Sequence, residues 1–425
     1  MAEQRDFVVL VDTYETADHG VPQTARHIAP AFIEAGAGCV RVQSAPDPPG
    51  VYRGSSPTLR HYRDNIVHDG DLDRTLAALA PYRPVAVVPG GEYGVAFADV
   101  LGEALGVPNN GTALSRARRD KHAMVEAVRA AGLRAARQVR TGDPAELAAW
   151  HRELGGRVVV KPLRSAGGDG VSFCDTPEQS AAALTAITAR QNLFSEDNDE
   201  VVAQEYLVGA EFIVNTVSRD GAHHVCDIWR SQRFSVNGVT DLSGACYLVP
   251  RRGPRHDEVV DYAFAVLDAV GIRHGAAHVE LKLGPDGPCL IEVGARLSGG
   301  DLPHYARLAI GESQLDWVVD AALRPERFHA RCAEDYAIRR YHSWAALISP
   351  VEGTLRRYTA IEQVKALESF HEMWELTHPG DHLRRTVDDT TYPIIVTFMH
   401  EVDEVVQRDL GTLRYLDGVG FYELA

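Results

Sequence analysis

The sequence predicts an α/β fold in which a parallel, doubly wound sheet comes first and largely antiparallel sheets follow. Two patterns carry that prediction. Over about the first 110 residues, short apolar runs alternate with helical stretches, as βαβ units do. Beyond about residue 200, strand-like runs follow one another across Gly- and Asp-containing turns. A length of 425 residues exceeds one ordinary core and implies about two to four domains.

Taken in order, Phe7–Val11 reads as a buried strand, Ala25–Ala35 as a helix stopped by Gly36, and Val40–Val42 as a second strand. The Pro/Ser/Gly-rich stretch Ser44–Pro57 reads as a loop, Leu72–Leu79 as a helix and Pro84–Val88 as a strand. The amphipathic helix Val95–Leu105 follows the turn Val88-Pro-Gly-Gly-Glu-Tyr-Gly94. Two readings of that turn stay open: a tight βα connection, or a helix N-terminus that holds a substrate carboxylate. Asp120–Gly132 has an acidic start and a glycine stop, which predicts a helix. Strands Arg157–Lys161 and Val171–Cys174, then helix Pro177–Arg190, come next. Val201–Leu207, Glu211–Ser218 and His224–Trp229 read as antiparallel strands, with a turn at Asp220-Gly221. Arg233–Tyr247 reads as a loop, either a substrate cover or plain surface, and His223-His224 as a solvated turn. A helix spans Asp257–Val270, and His278–Leu283 with Pro288–Val293 forms a hairpin around Gly284-Pro-Asp-Gly287. Leu315–Leu323 is helical, and a β-rich tail containing the run Tyr392–Phe398 begins near residue 335.

Composition narrows the function. A net charge of −16 argues against nonspecific attraction to nucleic acid or to an anionic membrane. The Phe7–Val11 run is too short for a signal-peptide core or a membrane span. Six scattered cysteines without a C-x-x-C pair read as reduced, mostly buried thiols, and the expected location is cytoplasmic.

The chemistry concentrates in Val158-Val-Val-Lys-Pro-Leu-Arg-Ser-Ala-Gly-Gly-Asp-Gly-Val-Ser-Phe173. The chain's only lysines are Lys121, Lys161, Lys282 and Lys365, so a lysine before a glycine cluster is conspicuous. In a Walker A loop the lysine follows the glycines and a Ser or Thr comes next, which is absent here. In a Rossmann fingerprint the glycines open a helix, whereas these lead into a strand. A glycine-rich hairpin folding over nucleotide phosphates remains, alongside a surface hairpin with a stray lysine. A compact ammonium suits phosphate as a point charge. Downstream, Gln204-Glu-Tyr-Leu-Val-Gly-Ala-Glu211 offers backbone to a base and a carboxylate to ribose hydroxyls. Glu280 and Glu292, near opposite ends of a hairpin, could face one site, and Mg²⁺ favours one or two carboxylates plus phosphates.

In this order the motifs resemble the ATP-grasp superfamily over roughly residues 85–325. The run Glu292-x-Gly-Ala-Arg-x-x-Gly-Gly300 looks closest to the L-amino acid ligase branch, enzymes that join amino acids or related acids and amines. The resemblance implies an ATP-grasp fold with a Rossmann-like N-terminal domain (1–112), a lid subdomain with the glycine loop (113–200), an antiparallel catalytic subdomain (201–330) and a β-rich ligase-associated domain (331–425). Lys121 and Lys161 would hold the α- and β-phosphates, and Ser165, Gly167, Gly168 and Gly170 would cover the β- and γ-phosphates. Gln204 would face the adenine amino group, with Tyr206 and Leu207 beside the ring, Glu211 on the ribose and Lys282 in the same nucleotide set. Glu280 and Glu292 would ligate two Mg²⁺ ions, with Mn²⁺ as an alternative. Many superfamily members carry Asn where this chain has Gly294, a departure the ligase branch shares.

Arg296, His278 and Lys161 are the catalytic candidates. Arg296 would bind the transferred phosphoryl group or an oxyanion, its alternative being a structural ion pair. His278 stands between substrate contact and a structural role; alternation places it on one strand face with Glu280 and Lys282. The expected activity is ATP-dependent ligation of a carboxylate to an amine through an acyl phosphate. The alternatives are a carboxylase-type enzyme using carboxyphosphate and a non-catalytic nucleotide-binding protein. Expected partners are small molecules, with a homodimer left open and neither nucleic acid nor membrane. Gly299-Gly300 would leave room for a bulky substrate on the amine side.

Overall fold

A computed structural model describes residues 6–15, 23–55 and 58–425. The first sheet is four-stranded and parallel, ordered Asp64–Val67, Gly38–Gln43, Phe7–Val11, Pro84–Pro89. Phe7–Val11 is buried on both faces because it lies inside this sheet with helices packed on it, which is why it reads as an unbroken apolar run. Helices Leu72–Leu79 and Val95–Leu105 fall where the sequence places them, and Ile28–Glu34 is preceded by a 3₁₀ turn, Thr24–His27. Asp64–Val67 is an edge strand without an apolar pattern, so it escaped the sequence reading. The Ser44 loop holds a 3₁₀ turn at Gly50–Tyr52, and its end, Ser56-Pro57, lies outside the described residues.

A second four-stranded sheet is antiparallel, ordered Gln138–Thr141, Val201–Glu205, Val158–Pro162, Ser172–Cys174. Helices Pro144–Leu154 and Pro177–Thr188 pack on it around Leu147, Val158, Val160 and Leu184. Val158 and Val160 point into that core, so alternation turns Val159 and Lys161 to the other face.

The largest sheet has eight strands and runs unbroken from Gly287–Gly294 through Gly275–Gly284, Ala210–Arg219, Ala222–Val236, Val239–Val249, Tyr341–Ala346 and Ile394–His400 to Phe370–Glu375. Its first strands cover the helix His256–Ala269 with a core that includes Val214, Val266, Val279 and Val293. A small sheet of His382–Leu383, Gly353–Tyr358 and Tyr422–Leu424 completes the C-terminal part.

Two sequence expectations fail here. Arg233–Tyr247 is no loop: Ala222–Val236 and Val239–Val249 form a long ribbon whose ends Val236 and Val239 pair across Asn237-Gly238. Both turn residues take positive φ, 56° and 82°, the geometry a two-residue hairpin requires and Asn-Gly supplies. His223-His224 is no solvated turn either; both lie on that ribbon's first strand, and the turn ends two residues before His223, at Asp220-Gly221. The His224 ring stacks on Trp317 at 3.4 Å between centroids, and burial pulls its pKa down to about 4.

Candidate active site

The second four-stranded sheet and the eight-stranded sheet face each other across a cavity of about 330 Å³. Of the predicted residues, Lys121, Lys161, Ser165, Gly167, Gly168, Gln204, Tyr206, Leu207, Glu211, Glu280, Lys282, Glu292 and Arg296 all line it. Gly170 and His278 stand behind the wall. A Cβ on Gly170 would sit 3.0 Å from Pro162 and 2.9 Å from Arg190, so this glycine lets the loop fold back tightly.

Lys121 is the first residue of the helix Lys121–Ala130, started by the Asp120 carboxylate accepting from the Ala123 N–H at 2.9 Å. Its ammonium donates to the Ser165 carbonyl (2.8 Å) and to Glu292 Oε1 (3.0 Å). Lys161 is different. It is 5% exposed, and among the described residues no group accepts a hydrogen bond from its ammonium. Burial, and then the charge of Lys121, draw its pKa down to about 8, against the opposing pull of Glu292 and Glu280. A buried cation without a partner is costly unless an anion joins it.

The glycine loop reaches left-handed φ at Gly167 (61°), Gly168 (71°) and Gly170 (71°), where side-chain-bearing residues are strained. The Ser165 hydroxyl donates to Asp169 (2.7 Å), which also accepts from the Leu193 N–H and pairs with Arg190 (both 2.8 Å). Asp169 thereby braces the loop.

Glu280 and Glu292 are directly opposite each other across the hairpin, which corrects their placement near its two ends. A register shift just beyond Glu280 leaves both carboxylates on the cavity wall. Burial opposes ionisation of Glu280, but the hydrogen bond and charge of His278, then the charges of Arg233 and Arg296, outweigh it and hold its pKa near 2. Among the described residues no three His, Cys, Asp or Glu side chains cluster tightly enough to hold a metal by themselves. Two carboxylates facing one cavity beside two lysines fit Mg²⁺, which takes its remaining ligands from phosphate and water.

On the ribbon side, charges are already paired. Glu211 is held by the Arg233 guanidinium through both Nε (3.0 Å) and Nη2. Lys282 pairs with Asp241 and lies over the Tyr206 ring, 4.8 Å from its centroid. Gln204 donates to Gln138 Oε1 at 3.0 Å. Arg233, Asp241 and, from the C-terminal part, Asp389 complete this wall; none was singled out from the sequence. The Asn-Gly turn with flanking alternation was the signal for the first two. Asp389 arrives by a fold no local pattern announces.

Arg296 is on the cavity wall and is also ion-paired. Its Nε donates to Glu92 Oε2 at 3.0 Å while Nη1 donates to the Leu297 carbonyl at 2.9 Å. Glu92 comes from the glycine turn before Val95–Leu105 and is also gripped by Arg119. Burial works against its ionisation, yet Arg119, Arg296 and Lys121 keep its pKa lowered. The turn's glycines serve packing: a Cβ on Gly90 would lie 2.7 Å from the Asp12 carbonyl oxygen, and one on Gly94 2.8 Å from that of Val11. Gly294 has a similar reason. A Cβ there would meet Glu92 Oε2 at 3.0 Å and Arg296 at 3.3 Å, so the ion pair occupies the space an Asn side chain would need.

Known proteins resemble this chain in sequence and in fold. The family model described as ATP-grasp domain matches residues 155–303. Dapdiamide A synthase of Enterobacter agglomerans is 30% identical over 99% of this chain and 97% of its own length. Among solved structures, an L-amino acid ligase from Bacillus licheniformis superposes with a TM-score of 0.73 at 18% identity, covering 100% of both chains. An N5-carboxyaminoimidazole synthase from Aspergillus clavatus, solved with ADP, gives 0.67 at 14% identity over 97% of this chain and 98% of that one.

Proposed function

The chain belongs to the ATP-grasp family as a carboxylate–amine ligase, an enzyme that forms C–N bonds, and from that premise we propose that it activates a small acid with ATP and condenses it with an amine through an acyl phosphate. Lys161 carries this reading: a buried, unpartnered ammonium beneath a glycine loop and beside two carboxylates is a place prepared for phosphate. The substrate carboxylate oxygen attacks the γ-phosphorus of ATP; the bond to the β-phosphate oxygen breaks and ADP leaves. The amine, as free base, attacks the acyl carbon, the C–O bond to phosphate breaks, and its proton passes to solvent.

In this scheme Lys121 and Lys161 bind phosphate oxygens, and loop N–H groups from Ser165 to Gly170 close over them. Glu280 and Glu292 hold two Mg²⁺ ions, or Mn²⁺, whose role is to neutralise phosphate charge. Gln204, Tyr206 and Leu207 bound the base, while Glu211 reaches ribose only after yielding part of its hold on Arg233. Lys282 stays tied to Asp241 and shapes that wall. Arg296, with Nε and Nη1 engaged, has Nη2 hydrogens left for an oxyanion. His278 acts through Glu280.

The acid and amine are amino acids or related small molecules, a class that the names of the relatives support. Gly299 and Gly300 are exposed and outside the cavity lining, with nothing within 4 Å of their Cβ positions. We place the enzyme in the cytoplasm and propose the domain division 1–112, 113–200, 201–330 and 331–425. Among the described residues no helix is long and apolar enough to cross a membrane. The test is incubation with ATP, Mg²⁺ and amino-acid pools, reading ADP, phosphate and product mass. The expected result is a condensed product with one ADP and one phosphate per bond. ATP turnover without any condensed product overturns the ligase reading, and turnover that needs only bicarbonate points to carboxyphosphate instead.

A further inference from the structure

A file of buried polar side chains runs away from the cavity, and the mechanism above uses only its cavity end, Glu280 and His278. His278 Nε2 lies 3.0 Å from Glu280 Oε1, and His278 Nδ1 lies 2.8 Å from Asn215 Oδ1. The Asn215 amide nitrogen donates to Asp227 Oδ1, which also accepts from the Trp229 indole N–H at 2.6 Å. Asn215, Asp227 and Trp229 are each 0% exposed.

The sheet is built to align this file. Asn215 sits in the middle of three strands, cross-strand to His278 on one side and to Asp227 on the other. A register shift between Val225 and Asp227 adjusts the ribbon strand where it meets Asn215. Bulges re-aim side chains in this way. The arrangement is expensive: burial raises the Asp227 carboxyl to about 7 despite its two hydrogen bonds, and its Oδ2 has no partner. An apolar trio would pack there at lower cost, so the file has another use.

That use follows from orientation. Asp227 takes the Asn215 amide nitrogen, which turns the Asn215 oxygen toward His278. The oxygen accepts from Nδ1, which blocks a flip of the ring. Nε2 is thereby aimed at Glu280. We propose that Asn215, oriented by Asp227, is a positioning residue that sets the His278 ring and through it the Glu280 carboxylate for a divalent cation; this rests on the reading of Glu280 as a metal ligand. Partners one shell beyond the ligands commonly control metal affinity in this manner.

The test is Mn²⁺ binding to the full chain with a non-hydrolysable ATP analogue, followed by electron paramagnetic resonance of free Mn²⁺. Asn215→Leu keeps the volume and removes the acceptor, and should weaken Mn²⁺ binding about tenfold to a hundredfold. Asn215→Asp combined with Asp227→Asn keeps an oxygen toward Nδ1 and a hydrogen bond between the two positions, and should recover most of that loss. Wild-type affinity in Asn215→Leu, or equal loss in both variants, overturns the inference. Should Asn215→Leu not fold, ¹⁵N spectra of histidine-labelled unsubstituted protein decide: His278 Nδ1 should carry its hydrogen, and a bare Nδ1 overturns it. Glu280→Gln separates the two layers. If Glu280→Gln binds Mn²⁺ like the wild type, the metal reading itself falls and takes this one with it; if only Asn215→Leu is silent, this inference alone falls.

Discussion

The two sides of the cavity treat charge in opposite ways. Beneath the glycine loop, the Lys161 ammonium is buried without a protein acceptor, while on the ribbon side Lys282 is matched to Asp241 and Glu211 to Arg233. An unmatched buried charge marks where a ligand's charge belongs. A matched pair sets shape, and it contributes to binding only by exchanging partners. The largest effect that tests this contrast is expected at Glu292, which is in contact with Lys121 and opposite Glu280. Glu292→Gln should lower turnover on the order of a thousandfold, measured as ADP release, while metal-free nucleotide binding persists. Near-normal turnover would remove its metal role.

Lys161→Met should cost roughly a hundredfold in kcat/KM and at the same time raise the melting temperature of the ligand-free protein, because a desolvated cation is replaced by a thioether of similar length. The pH dependence gives the same contrast a sign. The Lys161 pKa is near 8 in the folded chain and ordinarily near 10.5, so between those values the unfolded chain holds more protons. Wild-type stability should therefore gain on the order of 3 kcal/mol relative to Lys161→Met as pH rises from about 8 to about 10.5. Parallel urea curves at both ends of that window would contradict the buried, unpaired state. Lys282→Met should do the reverse at neutral pH and destabilise by about 3 kcal/mol, since it strands the mostly buried Asp241 carboxylate. A melting temperature that rises in both variants would erase the distinction between the two sides.

The residues that line one cavity are legible in the sequence where the signal is local. Lys121, the Val158–Phe173 hairpin and the Glu280/Glu292 hairpin are each contained in a short window, and their order along the chain made the set specific. That legibility ends where pairing is distant. The ribbon alternates Arg233, Ser235 and Ser243 with Phe234, Val236, Val239 and Leu242, and its polar members, several of them on the cavity wall, make the stretch resemble a loop. His223 and His224 follow a genuine Asp-Gly turn, so their polarity suggested water, although Trp317, far along the chain, covers His224. Helix Pro144–Leu154 has a start signal in Asp143, whose side chain accepts from the Ala145 N–H, but it lies between louder motifs. Glu92 and Arg119 meet Arg296 only once the first sheet docks on the largest one, so no spacing rule could have joined them.

The smallest effect expected concerns that last trio. Gly294 occupies the place where many superfamily members have an Asn ligand, and simple analogy suggests that Gly294→Asn would improve metal binding. The packing argues otherwise. A Cβ at this position already crowds Glu92 Oε2 at 3.0 Å and the Arg296 guanidinium at 3.3 Å, so the side chain must push the pair apart or turn away from the cavity. Either way Arg296 moves, and a displacement of this kind in a positioning group costs about tenfold or somewhat more in turnover. Gly294→Ala, which adds only the Cβ, should already show most of the loss, with Mn²⁺ affinity little changed in both variants. If Gly294→Asn instead tightened Mn²⁺ binding and kept turnover, the matched Glu92–Arg296 pair would be a passive filler, and the rule that matched charges set the cavity's shape would fail at its most buried example.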